Sequence, residues 1–231
     1  MAGTLASLLA AALAFHGSHV VLSSTRLRGT LREQLGETGY LALYSGVAVA
    51  TFAWLVAAYA HAPTIPLWPF VPGFALVPLV VMPVAAILLI AGYTTPNPTA
   101  VGMERRAGAD DPAPGIMRVT RHPILWGIGL WALSHLLPNG DVASLLFFGS
   151  LAGLALGGTV LIDRKKRLAL GSNWSRLAEV TSSVPFFAIL TRRTRLRLDE
   201  IGLLRIVAGL LLYAVLFYAH PLITGRPAML P

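Results

Sequence analysis

The chain has 231 residues, 55% apolar and only 12% charged, with a mean hydropathy of +0.69. A soluble domain carries about a quarter charged residues, so a water-soluble globule is close to excluded. The net charge of +8 and pI near 10.6 would suit a nucleic-acid binder. The basic residues lie instead in loops between apolar runs, and no nucleic-acid partner is expected. With no Cys, disulfides, Cys-ligated metals, thiolate haem ligands and Cys nucleophiles are all excluded.

A helix of ~20 mainly apolar residues crosses a bilayer, and six such runs are read in chain order. Residues 1–22 and 40–60 contain no Asp, Glu, Lys or Arg. Residues 67–93 form a third uncharged run, long enough to tilt, with Pro78 and Pro83 placed to kink it. A shorter fourth span, 122–137, ends at the turn Pro138-Asn139-Gly140-Asp141. Residues 142–162 and 201–219 are the fifth and sixth, and Arg205 near the start of the last can snorkel to the interface. The expected fold is all-α: a polytopic membrane protein in which a bundle of about six transmembrane helices forms one domain over residues 1–231.

The eighteen Lys and Arg residues orient it. Loops 23–39, 94–121 and 163–200 hold three, four and nine of them, loops 61–66 and 138–141 none, and Arg205 and Arg226 complete the set. Basic residues mark the cytoplasmic side, so both termini are expected on the outer side of a bacterial inner membrane. The first span has its basic residues after it, at Arg26, Arg28 and Arg32, and is expected to be retained rather than cleaved as a signal peptide. Within 163–200, Trp174, Leu177, Val180, Phe186 and Phe187 alternate with arginines. That composition suits a cytoplasmic basic loop with an interfacial helix against anionic headgroups, or a solvated loop that only sets topology.

The spans carry histidines rather than charges. His16 and His19 lie one turn apart near the inner end of the first helix, His122 opens the fourth, and His135 follows on the same helix. His61 and His220 fall at the outer interface and are set aside. Neutral imidazole ligates iron through one ring nitrogen while an acceptor orients the other, and two histidines on facing helices can hold haem b in a bundle. Interhelical hydrogen bonding by His19 and His135 is the alternative. In Thr120-Arg121-His122-Pro123, Pro123 suits the first helical position. The helix start beside Arg121 then suits a carboxylate or phosphate, or simply begins a helix.

The run from Gly115-Ile116-Met117-Arg118-Val119-Thr120-Arg121-His122-Pro123 through Ser134-His135-Leu136-Leu137-Pro138-Asn139-Gly140-Asp141 resembles the NnrU family of membrane proteins. Asn97-Pro98-Thr99-Ala100-Val101-Gly102, Leu35-Gly36-Glu37, and Asp163-Arg164-Lys165-Lys166 are similar to it too. The family includes the plant and cyanobacterial fifteen-cis-zeta-carotene isomerase, a haem b enzyme acting on a linear polyene, and bacterial members named for a link to nitrite and nitric oxide reduction. The resemblance implies haem b held by His19 and His135, with Arg121 near a propionate and His122 as a supporting group or alternative ligand. It implies redox or cis-trans isomerase chemistry on a lipophilic polyene or small substrate. Where the isomerase has a Cys three residues before the second ligand this chain has Ala132. By helix rise, His19 and His135 differ by roughly 14 Å in depth, which keeps His16 and His122 open as partners for His19. Arg121-His122-Pro123 and Gly127, with Leu168, Gly171, Trp174 and Val184-Pro185, also resemble the S-adenosylmethionine-dependent membrane methyltransferases of isoprenylcysteine and phospholipids, with Asp163-Arg164 standing where that pattern has paired glutamates. A non-enzymatic membrane partner in denitrification is the third reading.

Overall fold

The computed structural model describes residues 3–24, 26–99, 103 and 111–228. Ala100, Val101 and Gly102 of the Asn97 motif, and Arg105 and Arg106 of the second basic loop, lie outside them. The helices are α1 (Leu5–Ser24), α2 (Arg26–Ala60), α3 (Leu76–Thr94), α4 (Pro123–Leu136), α5 (Val142–Leu170), α6 (Ser172–Val180), α7 (Phe187–Leu190), α8 (Leu198–Ile201) and α9 (Leu203–Thr224). Among the described residues there is no strand, only an isolated bridge between Pro66 and Asp141. Helices α1, α2, α3, α5 and α9 are long and apolar enough to cross a membrane. The protein is an all-α polytopic membrane protein.

The helices depart from the expected spans in several places, for local reasons; the last, α9, runs to Thr224 rather than ending at Ala219. The basic stretch after α1 is helical and forms the first turns of α2. It is broken only at Gly36, whose φ of 70° and ψ of 175° suit a residue without Cβ. Residues 67–71 precede α3 rather than belonging to it, because Pro66, Pro69 and Pro72 deny the backbone donors a helix needs. Helix α4 is apolar but has 14 residues, about 21 Å of helix against a ~30 Å hydrocarbon core. Helix α5 continues eight residues past the expected end at Ile162, since Asp163 to Leu170 contains good helix formers and no Gly or Pro.

The chain forms two compact units, Met1–Phe70 with Asn139–Leu154, and Val71–Pro138 with Ala155–Pro231. In the first, α1 packs on α2 through buried Leu8, Ala11, Ala12, Phe15 and Leu55. The Tyr40 hydroxyl donates to the Leu22 carbonyl at 3.0 Å. Tyr59 stacks on Phe147 at 4.4 Å and its hydroxyl meets Ser144 Oγ at 2.9 Å. Asp141 accepts from the Ser144 backbone N–H at 2.9 Å and hydroxyl at 2.6 Å, capping the start of α5.

In the second unit, α3 packs against α4 and α9 through glycines. A Cβ on Gly127 would stand 2.8 Å from Leu89 Cγ, and one on Gly209 only 2.6 Å from the Ile87 Cα. Removing side chains at these crossings lets apolar helices gain dispersion contacts that lipid cannot match. Arg205, expected to reach toward the interface, instead bonds Thr94 at the end of α3, with Nε 2.9 Å from Oγ1 and Nη2 3.2 Å from the carbonyl. It thereby satisfies a helix-terminal acceptor.

Gly209→Val should lower the melting temperature of the detergent-purified protein. The new methyls meet backbone atoms of α3, an overpacking cost of about 1–3 kcal/mol. Gly46→Ala on α2, with no atom within 4 Å of the added Cβ, should leave it unchanged or raise it.

Candidate functional site

The second unit gathers a largely buried ion-pair cluster around residues singled out from the sequence. Its 3₁₀ turn Gly115–Arg118 leads into Thr120, Arg121 and His122, and Pro123 opens α4. The extension of α5 beyond its apolar run brings Asp163 to the same place. Arg121 Nε donates to Asp163 Oδ1 at 2.9 Å and Oδ2 at 3.1 Å, and Nη2 donates to Oδ2 at 2.5 Å. His122 Nε2 donates to Asp163 Oδ1 at 2.7 Å. The His122 side chain is only 1% exposed. A neutral His122 therefore carries its lone pair on Nδ1. The Arg121 guanidinium also lies 5.3 Å from the Trp174 ring.

The backbone around the cluster is fixed from both sides. The Arg121 carbonyl accepts from Asn97 Nδ2 and Thr99 Oγ1, both at 3.2 Å, and its N–H donates to the Ser182 carbonyl at 3.0 Å. Thr120 Oγ1 and Trp126 Nε1 both donate to the Ser183 carbonyl, at 2.8 and 2.6 Å. The Phe186 N–H donates to the Val119 carbonyl at 2.8 Å. Phe186 has φ 62°, a left-handed conformation that costs an aromatic residue energy and persists because the neighbouring bonds fix it. Segment 182–186 is thus tied along 119–126.

The structure separates what the sequence grouped. His122 caps the start of α4, whereas His135 lies near its end, about 20 Å along the axis. Arg121, which the family resemblance would set near a haem propionate, pairs with Asp163 at the far end of the helix from His135. From the sequence Asp163 was read only within a basic run and against a methyltransferase pattern. The signal that could have found its role is its position, one residue beyond a long uncharged run, where a carboxylate needs a partner.

His135 Nδ1 donates to the Trp131 carbonyl at 2.7 Å. In the first unit His19 Nδ1 donates to the Phe15 carbonyl, also at 2.7 Å, and its ring lies 4.5 Å from Phe15 and 5.7 Å from Tyr44. Each bond runs to the residue four earlier and holds the proton on Nδ1. His61 makes the same bond to Ala57, so the arrangement suits a ligand without marking one. His16 lies beside Gly153, also in the first unit. Among the described residues no three His, Asp or Glu side chains gather as a metal cage.

A second ion network lies at Arg118. Its Nε donates to Glu200 Oε2 at 2.7 Å, Nη2 to Asp111 Oδ2 at 2.6 Å and Nη1 to Thr194 Oγ1 at 3.1 Å. The Gly115 N–H also donates to Glu200 Oε2 at 3.1 Å. The Arg118 hydrogen bonds hold the Glu200 carboxyl below the ordinary glutamate range.

The family described as NnrU protein matches residues 7–228. The chain belongs to the NnrU family. Two curated relatives are the chloroplastic 15-cis-zeta-carotene isomerases of Zea mays, 34% identical over 120 residues, and of Arabidopsis thaliana, 33% identical over 114. The matches cover 51% and 48% of this NnrU chain but only 33% and 31% of the relatives, so it aligns with about a third of the length of each. No solved structure matches it significantly.

Glu200 contributes stability above the unfolded glutamate pKa of about 4.3. That contribution is lost as pH falls through its lower folded value. Thermal melting should therefore weaken on acidification below pH ~5 more in the native chain than in Glu200→Gln, which lacks this titration.

Proposed function

We propose that this NnrU protein is a membrane haem b protein whose chemistry is of the cis-trans isomerase or redox type, acting on a lipophilic polyene or a small substrate. Two matters support the reading: the similarity to 15-cis-zeta-carotene isomerases, and two histidines whose protonation fits axial ligation. His19 and His135 are the proposed ligands. Each is oriented by a backbone carbonyl that accepts from Nδ1, the kind of outer contact that fixes a ligating imidazole. Haem b would supply a redox-active iron, and His19 and His135 would hold it. With no Cys in the chain, exchange of a histidine ligand for a thiolate is closed to it.

Aromatic rings border both histidines: Phe15 and Tyr44 beside His19, and Trp131 5.9 Å from His135, where Ser134 Oγ also lies 3.3 Å from Nδ1. Aromatic walls of this kind suit a hydrocarbon substrate entering from lipid. A bacterial inner membrane with both termini periplasmic is part of the proposal, and the clustering of basic residues in alternate loops supports that orientation. A part in nitrite or nitric oxide metabolism belongs to the same proposal.

The test is an absorbance spectrum of the detergent-purified chain, expressed with ample haem and recorded oxidised and dithionite-reduced. A Soret band that sharpens on reduction, with split visible bands, is expected. His135→Ala and His19→Ala should each abolish or strongly change it. A colourless native protein, or an unchanged spectrum in both variants, overturns the ligand assignment.

A further inference from the structure

The sequence suggests that Trp174 and Leu177 face lipid headgroups, but both are buried against Met117 and Ala113. The apolar side chains left exposed outside the long spans stand elsewhere. Leu168 is 83% exposed near the end of α5, and Phe187 and Leu190, on the turn α7, are 51% and 77% exposed. Leaving three such groups in water forfeits burial each could otherwise gain. Two of them neighbour arginines: Leu168 follows Arg167, and the Arg193 guanidinium lies 5.8 Å from the Phe187 ring.

Arg167 and Arg193 line one open groove of about 690 Å³, with Gly171, Trp174, Ser175 and Glu179 among its walls. That volume lies in the ~300–1,000 Å³ range of small-molecule sites. Arg193 is held in place there. Its Nη1 donates to the Ala178 carbonyl at 2.9 Å near the end of α6, and its Nε donates to Thr191 Oγ1 at 3.1 Å. Exposed Arg192 and Arg195 flank it in sequence. Glu179 is the acidic residue of the groove, so the local balance is positive.

We propose that this groove holds the phosphate of an anionic phospholipid between Arg167 and Arg193, with the acyl chains along Leu168, Phe187 and Leu190. Cationic groups bordered by exposed apolar ones complement a headgroup joined to hydrocarbon, whereas a soluble anion has no use for the apolar border. A placed guanidinium also offers paired donors that match phosphate oxygens. The site is independent of the haem reading, since none of its residues takes part in that proposal.

Native mass spectrometry of the full chain in non-ionic detergent tests it, with dioleoylphosphatidylglycerol and dioleoylphosphatidylcholine supplied at equal concentration. The native chain should retain the anionic lipid preferentially. Arg167→Gln and Arg193→Gln should each cut that preference about fivefold, the loss expected for one basic residue near a charged surface. Leu168→Gln should lower retention of the anionic lipid while leaving the charge intact. Arg193 also braces α6, so Arg167→Gln decides the matter if the other variant folds poorly. Equal retention of the two lipids, or a full preference kept in Arg167→Gln, overturns the proposal. So does complete displacement of the lipid by inorganic phosphate at matched concentration, which would mark an ion site rather than a lipid site.

Discussion

The second unit depends on one carboxylate. Asp163 ends a run of more than twenty residues without a charge, where an unpaired anion would cost several kcal/mol. It is tolerated because Arg121 and His122 together direct three donor groups at its two oxygens. The pairing fixes the extension of α5 to the entry of α4, and with it the backbone of the Thr120-Arg121-His122-Pro123 motif. Everything that the motif organises follows from this: Asn97 and Thr99 on the Arg121 carbonyl, segment 182–186 tied alongside, and Trp174 beneath the guanidinium. A motif suggestive of ligand capture is, in the folded chain, satisfied from within.

Apolar burial cannot hold helices together in lipid, so the unit uses shape and polar ends instead. Gly127 and Gly209 let α4 and α9 approach α3 to backbone distance, and Arg205 ties the start of α9 to the last turn of α3. The short α4 fits this scheme. Its 14 residues carry three small ones on buried positions, Gly127, Gly129 and Ala132, so it is covered by protein over much of its surface. Glu200 and Arg118 do the comparable work near α8, where the 3₁₀ turn and the start of α9 converge.

The all-α class and the family were legible in the sequence, because hydropathy reports solvent and because the Gly115–Asp141 motif is long. The ends of the helices were less so. Uncharged runs show where lipid lies, while helix continues wherever propensity allows, as it does from Arg26 into α2 and from Asp163 to Leu170. Pro69 and Pro72 carry no charge and so fall within the uncharged run 67–93, yet they stop a helix by removing donors. The Asp163 partnership was hidden because its partners lie 41 and 42 residues away. The burial of Trp174 and Leu177 was hidden likewise: in composition alone, an aromatic among arginines looks the same packed on Met117 as it does against headgroups.

The account stands most directly on the tie between Arg121 and Asp163. A double-mutant cycle would measure it: Arg121→Ala, Asp163→Ala and the double variant, each unfolded thermally in the same detergent. Each single change leaves a charge without its partner and should cost about 3–5 kcal/mol. The double change removes both charges and should cost clearly less than the sum, a coupling in the ~0.5–3 kcal/mol range found for residues in contact. Strictly additive losses would mean that the two side chains act separately, and that something else holds α5 to the entry of α4.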